Sequence, residues 1–182
     1  IFAMNRKKAV EKSIEYIKRK FENNPHLFLS EEDVRGHLFC ELLKRFNKLQ
    51  KTKDNKETIP LHLNISFFGS KGHLSERPDV VILDVETVDL YTAQRGKNLS
   101  KGFEFEKAPF GIEIKLNRNG SKNRVLKELE ADLIKSKNLL NRNKELKLYV
   151  VYLDKKALLE DEDIKQFQST YIAKIIYATP NT

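Results

Sequence analysis

Apolar positions recur along the chain first at helical and then at strand spacing. Val10, Ile14, Ile17 and Phe21 return every three or four residues, which predicts an amphipathic helix over about 5–22. Asn23, Asn24 and Pro25 end it. Ser30 then offers an N-cap, with Asp33 where a capping box more often has Glu or Gln. Val34, Leu38, Leu42 and Phe46 predict a second helix reaching about residue 49. Residues 51–57 are polar and charged and read as a loop. Leu61, Leu63, Ile65 and Phe67 alternate with His62, Asn64 and Ser66, the signature of a half-buried strand. A turn at 69–72 follows, then a Val/Ile-rich strand over 79–85.

Residues 86–108 read as a long loop or an insertion carrying an extra strand. A third strand is expected over 110–116, then a turn containing Gly120. A helix follows over 122–140 with Leu126, Leu129, Leu133 and Leu140 inward. Residues 146–153 are almost wholly apolar, as in a central strand covered on both faces. A short helix near 160–168 and a strand near 172–178 finish the order. One mixed α/β domain over 1–182 accommodates all of it.

Composition narrows the class. The 182 residues are 40% hydrophobic and 33% charged, enough apolar material for a core, and no apolar run approaches the roughly 20 residues of a membrane span. Lys and Arg number 34 against 26 Asp and Glu, a net charge of +8. Such an excess suits a polyanionic partner, because each phosphate neutralised releases counterions; a solvated lysine surface gives the same sum. Cys40 is alone, which excludes an internal disulfide or a zinc knuckle, and its helical setting predicts a buried thiol. Met4 is the single methionine, so residues 1–3 read as a remnant ahead of a native start. Arg6, Lys7 and Lys8 interrupt any secretory apolar region, and an intracellular, cytoplasmic setting is expected. His26, His37, His62 and His73 have no metal-ligand spacing.

The chemistry-bearing residues lie on the strands. In Phe110–Gly111–Ile112–Glu113–Ile114–Lys115–Leu116, Glu113 and Lys115 share one face and the apolar residues the other. Alone, this reads more readily as an ion pair on a half-exposed strand. Asp79 opens the preceding strand after Pro78, a common loop exit. Strands consecutive in sequence are usually neighbours, so Asp79 and Glu113 are expected to converge beside Lys115. Two carboxylates with water and phosphate oxygens suit Mg²⁺, and a lysine there can orient water and offset transition-state charge. Glu31, at the head of the stripe through Val34, Leu38 and Leu42, supplies a third acid; Glu41 is the alternative on the same helix. Carboxylates brought together in this way raise one another's pKa.

Pro78–Asp79 followed by Glu113–Ile114–Lys115 resembles the PD-(D/E)XK nuclease superfamily, over about residues 30–154. The resemblance implies a restriction-endonuclease-like αβββαβ core, here with an extra N-terminal helix and a C-terminal helix-strand. It implies Mg²⁺ or Mn²⁺ held by Asp79, Glu113 and the Ile114 carbonyl, Lys115 as catalytic lysine, and Glu31 assisting from its helix, with metal ligation open to it. The activity implied is hydrolysis of phosphodiesters in DNA, endonuclease in preference to exonuclease. Helix 122–140 lacks the Gln and Tyr of the RecB-like branch. Arg95, Lys97 and Lys101, with Asn117, Arg118 and Lys122, are the expected DNA-binding residues; the first three read equally as a solvated loop. Lys135 and Lys137 read as solvated helix charges. The rival is a catalytically silent nucleic-acid-binding module or subunit on the same fold, and a third reading is a protein-interaction domain. A homodimer is one assembly open to any of them.

Overall fold

The computed structural model describes residues 2–65, 67–68, 74–89, 104–105, 109–142 and 145–181. Its main elements keep the expected order: α1 (Phe2–Asn23), α2 (Glu31–Leu43), β1 (Leu61–Leu63), β2 (Val80–Ile82), β3 (Phe110–Asn117), α3 (Lys122–Arg142), β4 (Lys147–Asp154), α4 (Asp161–Thr170) and β5 (Lys174–Ala178). The five strands form one mixed sheet in the order β5-β4-β3-β2-β1. β1 pairs antiparallel with β2 and β2 antiparallel with β3, whereas β3, β4 and β5 are mutually parallel. Parallel neighbours need crossover connections, and α3 and α4 are those crossovers. They cover one face of the sheet, where Val125, Leu129 and Leu133 meet Val81, Leu148 and Val150. α1 and α2 cover the other, where Ile14, Phe21, Val34 and Leu38 meet Ile112, Ile114 and Val151. β4 is therefore apolar at nearly every position: buried from Leu148 to Asp154, it has no wet face.

Local sequence accounts for the joints. Ser30 caps α2, its hydroxyl accepting from the Asp33 N–H at 3.1 Å while the Asp33 carboxylate accepts from the Ser30 N–H, so the capping box works with Asp in the Glu position. At the far end of the sheet Asp154 is fully buried. It accepts hydrogen bonds from the Asn117 side-chain amide (2.7 Å), the Tyr177 hydroxyl (2.8 Å) and the N–H groups of Lys156 and Leu158 (2.9 and 2.8 Å). One carboxylate thus joins the carboxyl ends of β3, β4 and β5.

Several expectations are corrected. α2 stops at Leu43 rather than near 49, and a turn carries Phe46 into the core, its N–H on the Leu42 carbonyl at 3.0 Å. Cys40 is exposed, not buried, because it lies off the Val34–Leu38–Leu42 stripe. The strand expected over 61–67 breaks at Asn64, which takes a left-handed φ of 53°. The alternation fails on both sides of the break: Leu63, before it, is 39% exposed, and Ile65, after it, packs on the α3 side. Phe67–Phe68 pairs instead with Leu74–Glu76 in a separate ladder. The loop at 51–57 is a hairpin, Gln50–Lys51 against Glu57–Thr58. Within 86–108, Val88–Asp89 pairs with Glu104–Phe105. Arg95, Lys97 and Lys101, and the turn at 69–72, lie outside the described residues.

Candidate functional site

The site forms where β2 ends and β3 continues. β2 pairs with β3 only as far as Val80 against Ile112, so the next N–H groups along that edge, those of Ile114 and Leu116, have no strand to meet. Carboxylates meet them. Asp79 Oδ2 accepts from the Ile114 N–H at 2.8 Å, and Glu31 Oε1 accepts from the Leu116 N–H at 3.3 Å. The requirement that buried backbone donors be satisfied therefore fixes both acids at the open edge. The antiparallel register, carried one residue past Val80 and Ile112, sets Asp79 against Glu113. Strand alternation turns Glu113 and Lys115 toward α3, while Ile112, Ile114 and Leu116 enter the α1/α2 core.

Lys115 reaches between two helices. Its Nζ lies 3.8 Å from Glu31 Oε2 on α2 and 3.6 Å from Asp132 Oδ2 on α3. Asp132 is the residue sequence reasoning missed. It is 4% exposed, and its other oxygen, Oδ1, takes the Lys135 ammonium at 3.2 Å. The signal was present: Asp132 stands three residues after Leu129, on the inward stripe of the helix, where a carboxylate has no packing reason to be. Lys135, read from sequence as a solvated charge, is its partner. From α2, Arg35 Nη2 approaches Asp79 Oδ1 at 3.3 Å, and Arg35 Nη1 donates to Asn64 Oδ1 at 3.3 Å.

The electrostatics follow from burial in an acid-rich corner. Burial pushes the Glu113 carboxyl up to about 7, reinforced by Asp79 and Asp132 and opposed by Lys115 and Lys135. Burial also raises Asp79, though the Ile114 N–H, Arg35 and Lys115 pull it back. Burial alone would lower Lys115, but Asp132, Glu31, Glu113 and Asp79 outweigh it and hold the ammonium above its ordinary value. The charge strain expected of three converging acids thus falls chiefly on Glu113, which has no hydrogen-bond or ion-pair partner among the described residues. A raised carboxyl favours the protonated form in the fold. Its contribution is complete below the ordinary value of 4.5 and is lost as pH rises through about 7. Glu113→Gln is always neutral. In EDTA, between about pH 4.5 and pH 8, its stability should rise by about 2–3 kcal/mol relative to wild type. Urea melts at the two pH values measure this, and identical pH dependence in the two proteins refutes it.

The other expected site residues are placed as follows. Glu41 is buried but binds Lys44 and Arg45 at the far end of α2, leaving Glu31 as the acid beside Lys115. Asn117 lines the cleft beside Lys115 but is 6% exposed, and its amide is committed to Asp154 and to the Gly120 N–H. Arg118 is exposed and donates to the Leu29 carbonyl at 2.9 Å. Lys122 pairs with Asp163 at 2.7 Å. Glu31, Lys115, Arg118, Arg124 and Asp132 border a cleft of about 770 Å³, and a smaller one of about 260 Å³ opens over Glu113 between Arg77 and Lys135.

Among the described residues no three His, Cys, Asp or Glu side chains are grouped as a ready-made metal cage. Asp79 and Glu113 nonetheless offer an all-oxygen set, joined by the Ile114 carbonyl, which shares its N–H's open edge. Glu113 lacks any counter-charge in contact, and a carboxylate such as Asp79 keeps acceptor capacity beyond one N–H and one guanidinium. This set fits a small hard cation that keeps much of its water and takes one or two protein carboxylates. No protein-family model, curated protein or solved structure matches the chain. Among the described residues no helix is long and apolar enough to cross a membrane.

Proposed function

We propose that this protein is a metal-dependent nuclease that hydrolyses phosphodiester bonds in DNA. The observation that carries the reading is the meeting of Asp79, Glu113 and Lys115 where β3 outruns β2, with Glu31 beside them. The run α2-β1-β2-β3-α3-β4 has the order of a restriction-endonuclease-like core, which supports the same reading. Asp79, Glu113 and the Ile114 carbonyl would hold Mg²⁺ or Mn²⁺, which when bound polarises a phosphate and acidifies water. Lys115, kept cationic by its neighbours, orients the attacking water and offsets the charge that develops on the phosphate oxygens. Glu31 holds the Leu116 N–H and steadies the lysine from the α2 side. Arg118 adds positive charge at the cleft rim for the DNA backbone.

One observation favours the rival. Asp79 already engages the Ile114 N–H and Arg35, as it would in a silent DNA-binding module whose metal position is filled by a guanidinium. Incubation with plasmid, single-stranded and branched DNA, in Mg²⁺ or Mn²⁺ against EDTA, separates the two. Metal-dependent cleavage of any of these is the expected result. Salt-sensitive binding without cleavage of any of them overturns the nuclease reading in favour of the module.

A further inference from the structure

We infer that Asp132 is a positioning residue for Lys115, holding its ammonium at a fixed point over the open edge of β3. The geometry at Lys115 is asymmetric. On the α2 side Glu31 is 37% exposed in its side chain, and one of its oxygens is spent on the Leu116 N–H. An ion pair reaching into water is screened and holds a long side chain weakly. On the α3 side Asp132 is 4% exposed, in the turn between Leu129 and Ser136. Its Oδ1 is turned to Lys135, at the wet margin. Its Oδ2 is buried, accepts no hydrogen bond, and lies 3.6 Å from Lys115 Nζ. A buried carboxylate oxygen without a donor is costly, and the cation facing it is Lys115.

Packing gives no reason for the acid. The stripe through Val125, Leu129, Leu133 and Leu140 is otherwise apolar apart from Ser136, whose hydroxyl is taken by the Asp132 carbonyl at 2.7 Å. A leucine at 132 would suit the stripe, so the carboxylate reads as an anchor for the lysine that crosses from β3. Lys135 alone does not explain it, since that ammonium is 60% exposed and needs no buried partner.

The positioning role stands on geometry, and its catalytic consequence rests on the nuclease reading, so the test has two readouts. The first is the ¹⁵N signal of the Lys115 side-chain ammonium in metal-free protein, where a held ammonium gives a slowly exchanging, ordered resonance. It should be present in wild type, lost in Asp132→Asn, and retained in Lys135→Ala. Asp132→Leu replaces the Asn variant if the amide prevents folding. An absent wild-type signal, or one unchanged in the Asp132 variants, overturns the inference. The second is cleavage: kcat should fall about 10- to 100-fold in Asp132→Asn with KM little changed, as when a residue acts through another. If the ammonium signal depends on Asp132 while wild type cleaves no DNA, the nuclease reading fails and the positioning role stands. If wild type cleaves and Asp132→Asn keeps full kcat, the catalytic part of the inference is overturned.

Discussion

Lys115→Ala is expected to lower metal-dependent DNA cleavage by about 10²–10³-fold while leaving DNA affinity nearly unchanged. The lysine is one cation in a chain of net charge +8, so its loss barely alters attraction for a phosphate backbone. Two other cations at the site are committed elsewhere. Arg35 is committed to Asp79 and Asn64, and Lys135 sits on the outer side of Asp132. Glu113→Gln should have a comparable effect on cleavage, since it removes one of the two carboxylates of the proposed metal site. Asp79 calls for the Asn substitution rather than Ala. Its carboxylate also accepts the Ile114 N–H, and Ala would leave that donor without a partner and take one ion pair from Arg35, mixing lost stability with lost chemistry. Single-turnover cleavage, paired with DNA binding in EDTA, measures each effect. Wild-type rates in Lys115→Ala would remove the lysine from the mechanism.

The largest stability effect is expected at Asp154. Asp154→Ala should destabilise the fold by about 3–5 kcal/mol, because it strands four donors that the carboxylate now satisfies. They are the Asn117 amide, the Tyr177 hydroxyl and the N–H groups of Lys156 and Leu158, gathered on a carboxylate that is itself fully buried. Tyr177→Phe removes one hydroxyl and should cost about 1 kcal/mol. It also frees the Leu159 N–H that the hydroxyl accepts at 3.1 Å. Urea denaturation of the two variants checks the ranking. A loss below about 1 kcal/mol in Asp154→Ala would mean that the strand ends do not depend on this carboxylate.

What could be read from the chain was whatever repeats over several residues. The stripe from Val10 to Phe21, the cap at Ser30 and Asp33, and the strict alternation of β3 are local patterns, and the last of them is enough to set Glu113 and Lys115 on one face of their strand. The near-continuous apolar run of β4 likewise announced a strand covered on both sides. Features set by single residues or by distant partners were not legible. Asn64 ends β1 through one backbone angle, which alternation across 61–67 conceals. Asp132 is out of place on the inward stripe of its helix, but its partner is visible only once α3 lies over β3. Asn117 reads from the sequence as a DNA-binding residue, yet its amide is held by Asp154, 37 residues away. Arg35 meets Asp79 across the junction of a helix and a strand that no periodicity links.

The brevity of β2 has a consequence for how this end of the sheet could change over time. β2 contributes three residues, Val80 to Ile82, against the eight of β3. Were β2 extended by two residues in register, its backbone would claim the Ile114 N–H, and Asp79 would become an ordinary ladder residue with nothing to accept. Shortened by two, it would leave more of β3 bare than the nearby acids can cover. Strand length at this single place therefore acts as a dial on whether these carboxylates stay at an open edge, and a lineage could close the proposed site by lengthening a strand, without replacing a single charged side chain.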